Sequence, residues 1–253
     1  MSEGAERVNP YQGDKRHKGE QVREMFDNIA PAYDFMNRAM TLGIDKLWRR
    51  RAVGLIRRHL SAMEAKTPEI LDVATGTADL AILLAKSIKE SRITGIDLST
   101  GMIEVGRKKV EKQGLSHRIA VGVADCLALP FADDTFHCVT VAYGVRNFEK
   151  LSQGYREMLR VLKPGGMLCV IELSTPTSAW AKPLYGFYTK HVIPSAGRLV
   201  SHDTRAYAYL PESIAAVAQG QQMTALIEEA GFRQAQYKPL TFGVCTIYTA
   251  LKG

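Results

Sequence analysis

The chain reads as an α/β protein with a doubly wound, mostly parallel seven-stranded sheet, an antiparallel last strand and an N-terminal helical cap. Three observations predict this. Strand and helix patterns alternate after about residue 65. "EILDVATGTADLAILLAK", Glu69 to Lys86, runs from an apolar strand through a small-residue turn into a helix. The C-terminal stretch "TALIEEAGFRQAQYKPLTFGVCTIYTALKG" is a helix followed by two strands whose link is short enough for an antiparallel pair. At 253 residues, one domain over 1–253 is expected, with the cap over 20–62 and the α/β core over 66–253.

The elements follow in order. Within the cap, "DKLWRRRAVGLIRRHL" (Asp45 to Leu60) repeats Leu47, Trp48, Val53, Leu55, Ile56 and Leu60 near helical spacing among five arginines. The first strand spans about Glu69 to Ala74, and a second ends at Asp97. Ser99 is positioned to cap the next helix and Gly114 to end it. "RIAVGVADC" supplies a third strand, leading into a loop with Asp125 and Cys126, and "FHCVTVAYGVRNF" a fourth that emerges at Tyr143 to Asn147. "EKLSQGYREMLRVLKPGG" is an amphipathic helix expected to stop at Pro164 and the two glycines. "MLCVIELS" is the fifth strand.

Composition narrows the class. Hydrophobic residues make up 46% and charged residues 23%, which is the balance of a folded domain rather than of a disordered or fibrous chain. No apolar run approaches the roughly 20 residues of a membrane span, and the N-terminal stretch lacks the apolar core of a secretory signal, so a cytoplasmic location is expected. Cys126, Cys138, Cys169 and Cys245 lie far apart without metal-ligand spacing, which predicts buried thiols and no metal site. The net charge of +7 suits nucleic acid, anionic lipid or simple solubility. No base-flipping motif and no interleaved aromatics and lysines accompany it, so no nucleic-acid partner is expected. The Arg49–Arg58 helix has two readings, a peripheral membrane contact or a core-packed helix with a solvated cationic face.

The turn "DVATGTAD" names a ligand class. Ligands of doubly wound sheets lie outside the carboxyl ends of the strands, where strand order reverses. Ala74, Gly76, Thr77 and Ala78 let the backbone approach closely, and Asp97 follows Gly76 at the distance expected of a carboxylate that binds a ribose diol. A dinucleotide asks for three glycines beside its diphosphate, and this turn has one. No hydride-transfer constellation accompanies the turn either. An adenosine with an amino-acid tail and no phosphate fits better, and S-adenosylmethionine is such a ligand. Asp72 is then a partner for its ammonium group, and Asp125 for the adenine amino group. Each aspartate singly could instead cap a helix or start a turn.

Four further stretches carry a family resemblance: "YDFMN" (Tyr33 to Asn37) leading to Trp48, "LPF" (Leu129 to Phe131), "YGVRN" (Tyr143 to Asn147) and "RVLKPGGMLCVIELS" (Arg160 to Ser174). Together they resemble the quinone C-methyltransferases of menaquinone and ubiquinone biosynthesis, within the Rossmann-like class I S-adenosylmethionine-dependent methyltransferases. Thr41 and Asp45 depart from the first signature, where serine and histidine are usual. The resemblance implies cofactor contacts at Thr77, Asp97, Asp125 and Cys126, adding Thr77 and Cys126 to the set nominated by spacing.

It also implies a polyprenyl quinol acceptor, with demethylmenaquinol favoured, and a ubiquinone precursor or another phenol as alternatives. A neutral quinol carbon is a poor nucleophile, whereas the phenolate places charge on that carbon, so the site must favour proton loss and orient the ring. Arg146 stays protonated and is expected to stabilise the phenolate or hold a water, with Asn147 on a ring oxygen; a structural ion pair is the alternative for Arg146. Tyr33 is expected to pack on the ring, and Asp34 to accept a hydrogen bond or the proton. His191 is either a base or an ordinary histidine. The run from Trp180 to Ile193 either lines a channel for the tail or packs on the sheet. A homo-oligomer is left open.

Overall fold

A computed structural model describes residues 3–176, 178, 183, 186 and 204–253. Among them lies one seven-stranded sheet: β1 Glu69–Val73, β2 Arg92–Asp97, β3 Ile119–Val123, β4 Phe136–Ala142, β5 Leu162–Leu173, β6 Arg233–Leu240 and β7 Cys245–Leu251. Their order is β3-β2-β1-β4-β5-β7-β6. The first five strands pair in parallel, and β7 runs antiparallel between β5 and β6. Strand order reverses between β1 and β4, so the carboxyl ends of these two strands flank the crevice where a doubly wound sheet takes its ligand.

The strands are apolar because both faces are covered. Along β1, Ile70 faces one layer and Leu71 and Val73 the other, as the period of two requires. One layer packs α4 (Asp45–Ala62) and α5 (Asp79–Ser87) on the sheet through Trp48, Ile56, Leu80 and Leu84. The other holds α7 (Leu151–Val161) and α9 (Gln221–Glu229) through Tyr155, Met158, Met223 and Ile227. The four cysteines are buried free thiols. The helix of the Arg49–Arg58 stretch is thus core-packed, with Arg50, Arg51, Arg57 and Arg58 exposed and Arg49 buried.

Two local details matter. Ser99 caps α6 (Thr100–Lys112), accepting from the Met102 amide at 3.0 Å, and Gly114 follows with φ +66°. The helix expected to run to Pro164 stops earlier, at Val161. The proline forces Lys163 out of helical backbone, and Leu162 is already extended and paired with Phe136. β5 therefore begins before the proline rather than after it.

The N-terminal helices α2 (Lys18–Ile29) and α3 (Tyr33–Thr41) lie against α6 and the β1–α5 turn. Asp27 fastens them. Its carboxylate accepts from the Gly101 amide at 2.8 Å and from the Ser99 hydroxyl at 2.6 Å, placing a negative charge at the N-terminus of α6. Asp27→Ala is expected to lower stability by about 2 kcal/mol. Proteolytic cleavage within the N-terminal helices should quicken as well; thermal melting and timed digestion check both.

Candidate active site

The β1–α5 turn holds Ala74, Gly76 and Ala78 at φ 52°, 55° and 64°. Left-handed backbone at two alanines is unfavourable by roughly 1–2 kcal/mol each, so the surroundings must impose it. Asp97, at the end of β2, does so in part. Its Oδ2 accepts from the Gly76 amide at 2.9 Å and its Oδ1 from the Ser99 amide at 2.9 Å. Burial pushes the Asp97 carboxyl above its ordinary range, against the pull of those two amides. Helix α6 crosses the turn at Gly106, where an added Cβ would stand 3.3 Å from Gly76 O.

Around this turn lies a cleft of about 770 Å³ including its mouth. Val73, Ala74, Ile96, Asp97, Ala124, Asp125, Ala142 and Tyr143 bring the ends of four successive strands to its wall, and Val22, Phe26 and Tyr33 close it from the N-terminal helices. The charged residues lining it are Asp97, Asp125 and Glu149, with no lysine or arginine among the described residues. Such a wall repels a diphosphate and suits a ligand bearing positive charge. At the floor, a Cβ on Gly144 would meet the Ala74 Cβ at 2.7 Å, so the Gly144 backbone at the β4 exit packs directly on the Ala74 methyl of the turn.

The nominated cofactor residues fall into two groups. Gly76, Asp97, Asp125 and Cys126 line the cleft. Asp125 is exposed and bends its own loop by accepting from the Leu127 amide at 2.8 Å. Cys126 is buried, and burial raises its thiol far above the ordinary range, which rules out a thiolate nucleophile. Asp72 and Thr77 lie behind the wall instead. Asp72 is 1% exposed, takes hydroxyl hydrogen bonds from Thr75 at 2.6 Å and Thr140 at 2.7 Å, and is pushed up to about 6 by burial. The Thr77 hydroxyl donates to Asp34 Oδ1 at 2.5 Å.

A second, apolar cavity of about 490 Å³ adjoins the first and shares Phe26, Tyr33 and Asn147 with it. Met25, Ile29, Met36 and Met40 line it together with Arg146 and Tyr209, the latter on α8 (Thr204–Ala216). Arg146 is 6% exposed. Its guanidinium pairs with Glu172 Oε1 at 2.7 Å and donates to the Tyr143 carbonyl, while Nε has no partner among the described residues. Burial works against the charge, but Glu172 outweighs it and the group stays protonated. Arg146 is therefore an ion-paired residue that also faces a cavity. Asn147 Oδ1 accepts from the Tyr209 hydroxyl at 3.1 Å.

Asp34 lines neither cavity. It accepts from Thr77 and pairs with Lys109 Nζ at 2.6 Å, and Lys109 pairs in turn with Asp79, so α3 is clasped to the turn and to α6. The two departures from the first signature also meet each other: the Thr41 hydroxyl lies 2.8 Å from Asp45 Oδ1, and Asp45 pairs with the buried Arg49. His191 lies outside the described residues, as does nearly all of the Trp180–Ile193 run.

Glu172, Glu149, Lys109 and Tyr209 were not nominated from sequence. Glu172 had a signal, since it ends a strand as Asp72 and Asp97 do. Tyr209 had none, because its contact with Asn147 spans 62 positions.

A cleft at the strand-order switch with an acidic wall, on a sheet of this order, defines a class I S-adenosylmethionine-dependent methyltransferase fold. Two solved structures share it. An S-adenosylmethionine-dependent methyltransferase of Aquifex aeolicus aligns over 74% of this chain and 82% of its own, with TM-score 0.55 and 20% identity. The cyclase SpnF aligns over 92% and 96%, with TM-score 0.68 and 18% identity. The chain belongs to the ubiE/COQ5 methyltransferase family, whose profile matches residues 14–252. It is 47% identical to the demethylmenaquinone methyltransferase of Bacteroides fragilis over the full length of both. It is 46% identical to the ubiquinone/menaquinone biosynthesis C-methyltransferase UbiE of Geobacter sulfurreducens, over 93% of this chain and 90% of that one. The protein is thus an S-adenosylmethionine-dependent methyltransferase, and the cleft fits that cofactor in size and in sign of charge.

Arg146→Ala is expected to cost about 3–5 kcal/mol, because it strands the Glu172 carboxylate in the interior. A fall in thermal midpoint that Glu172→Gln, added to the same variant, partly reverses would check the pairing.

Proposed function

We propose that this enzyme methylates a ring carbon of demethylmenaquinol, giving menaquinol. One observation carries the reading beyond the names of its relatives: the acidic cleft and the apolar cavity share Phe26, Tyr33 and Asn147. A cationic methyl donor in the first and a flat, greasy acceptor in the second would meet at those residues. Residues 1–253 act as one methyltransferase domain, with 20–62 as a cap on the core of 66–253.

Bound S-adenosylmethionine supplies an electrophilic methyl group. Asp97 accepts from the ribose diol, Asp125 and Cys126 frame the adenine, the turn at Gly76 and Thr77 gives close backbone approach, and Asp72 draws the ammonium group electrostatically. On the acceptor side, Tyr33 packs on the ring. Arg146, with Nε unspent on protein, stabilises the phenolate oxygen, and Asn147 fixes the ring through its amide. Arg146 cannot take the phenolic proton, so a water held between it and the ring accepts it. Asp34, already engaged by Thr77 and Lys109, closes the site as a positioning residue. The prenyl tail keeps the acceptor in the bilayer, and in this reading the enzyme works in the cytoplasm at the inner face of the membrane. No nucleic acid takes part.

The test is direct: purified enzyme, methyl-labelled S-adenosylmethionine and chemically reduced demethylmenaquinone in micelles, with the lipid product read by mass. A product heavier by one ring methyl supports the proposal. No transfer to this ring, with transfer to the ubiquinone precursor, would overturn it. Arg146→Lys keeps a charge opposite Glu172 but loses the planar fork, and is expected to lower kcat roughly 100-fold or more with little change in cofactor affinity. Asp34→Asn is expected to lower kcat by a smaller factor; wild-type turnover in both variants would remove the roles given to them.

The Asp72 carboxyl gives a pH signature. Burial pushes it up to about 6, and it must be ionised to attract an ammonium group. Binding of S-adenosylmethionine should therefore weaken as pH falls below about 6, by up to tenfold per unit. 5′-Methylthioadenosine shares the nucleoside but lacks the ammonium group, and its affinity should not show that loss. Calorimetric titration of both ligands across this range checks the difference.

A further inference from the structure

We propose that the α3–α4 turn, with the turn that precedes β7, is a docking surface for an anionic lipid bilayer. Phe35, Leu42, Leu47 and Phe242 enter the boundary of the acyl chains, and Arg38, Lys46, Arg50 and Arg51 meet the headgroups. The proposal rests on the reading that the acceptor is dissolved in lipid, and it specifies where the enzyme touches that lipid.

Six large hydrophobic residues are strongly exposed among the described residues, and these are four of them, at 61%, 80%, 59% and 67%. They belong to one region. The Trp48 indole donates to Thr241 Oγ1 at 2.8 Å, which holds the 241–243 turn against the first turn of α4. Leu42 and Phe242 stand at φ 50° and 57°. Turns with left-handed backbone ordinarily carry glycine or asparagine, and Leu42 is a large apolar side chain there that is 80% exposed.

The charge around them has one sign. From Tyr33 to Ala62 the acidic residues are Asp34 and Asp45. Asp34 is paired with Lys109, and Asp45 is buried against Arg49. What remains exposed is Arg38, Lys46, Arg50, Arg51, Arg57 and Arg58. An apolar tip followed along α4 by a cationic stripe matches a bilayer surface, with apolar insertion and attraction to anionic headgroups acting together. A second copy of this chain suits the surface poorly, because a two-fold interface would set these cations against their own images.

Continuity with the acceptor cavity completes the case. On α3, Tyr33, Met36, Asn37 and Met40 line the cavity, and Phe35, Ala39 and Leu42 are exposed. One short helix is therefore both cavity wall and outer surface. A quinol ring leaving the bilayer at this tip reaches the cavity by passing a single helix.

The test uses full-length protein and flotation with vesicles of phosphatidylcholine alone or of phosphatidylcholine and phosphatidylglycerol in equal parts. The wild type should float with the anionic vesicles, less so at high salt, and not with neutral ones. Phe35→Ser, Leu42→Ser and Leu47→Ser together should cut the bound fraction about tenfold or more. Arg50→Glu with Arg51→Glu should do so independently, which keeps the proposal testable if the triple variant does not fold. Val123→Ser with Tyr237→Ser, at the other two exposed positions, should leave binding unchanged.

Flotation of the triple variant equal to wild type, or no anionic-vesicle binding by the wild type, overturns the proposal. So does light scattering showing a wild-type dimer that the triple variant dissolves while vesicle binding persists. Methyl transfer to a short-tailed, water-soluble demethylmenaquinol should stay near wild type in the triple variant. Failure of the acceptor reading appears separately, as no transfer by the wild type to that soluble acceptor whatever the flotation shows.

Discussion

The β1–α5 turn can keep its shape only while something holds its backbone, because two of its three left-handed positions are alanine. Asp97 supplies one anchor by accepting from the Gly76 amide, and the packing of Gly106 on the turn supplies another. The same carboxylate lines the cleft, so the group that shapes the turn is also the one proposed to meet a ribose. That coupling explains why the turn needs only one glycine of the dinucleotide pattern. No diphosphate has to pass close to the backbone, and with acidic residues as the only charged groups on the cleft wall among the described residues, none would be welcome there.

Charge is then partitioned between two adjoining spaces. The cofactor cleft carries Asp97, Asp125 and Glu149, while the acceptor cavity is lined by methionines and aromatics around one guanidinium. Placing a cation in a low-dielectric pocket is unfavourable unless it is paired, and Glu172 provides that partner. Arg146 therefore holds a fixed positive charge at the cavity wall, as the role proposed for it requires. Both spaces are walled by α2 and α3, which polar contacts at Asp27, Asp34 and Glu149 help to hold. Such contacts are suited to opening for ligand exchange while the sheet stays intact.

Much of this was legible in the chain, and the reasons are local. Strands covered on both faces write themselves as apolar runs, Ser99 and Gly114 mark helix ends by their own chemistry, and Asp97 stands at a fixed distance from Gly76. What escaped the sequence reading depends on long-range pairing. Asp34 looked free to accept a proton, yet it is engaged by Thr77 and Lys109. Arg146 gave no sign of Glu172 as its partner, nor Asn147 of Tyr209. The entry of β7 between β5 and β6 is likewise a matter of strand order, which no local pattern encodes. The early end of α7 was readable in principle, since a proline restricts the residue before it.

In the proposed arrangement donor and acceptor occupy two adjoining cavities and meet at Tyr33 and Asn147. Hydrogen exchange read by mass spectrometry tests it most directly, with S-adenosylhomocysteine and a short-tailed naphthoquinol added singly and together. The account predicts that the nucleoside protects residues 74–78 and 97–102, that the quinol protects 25–40 and 209–210, and that 143–148 responds to both. Protection by the quinol on any other face, with 25–40 unchanged, would contradict it.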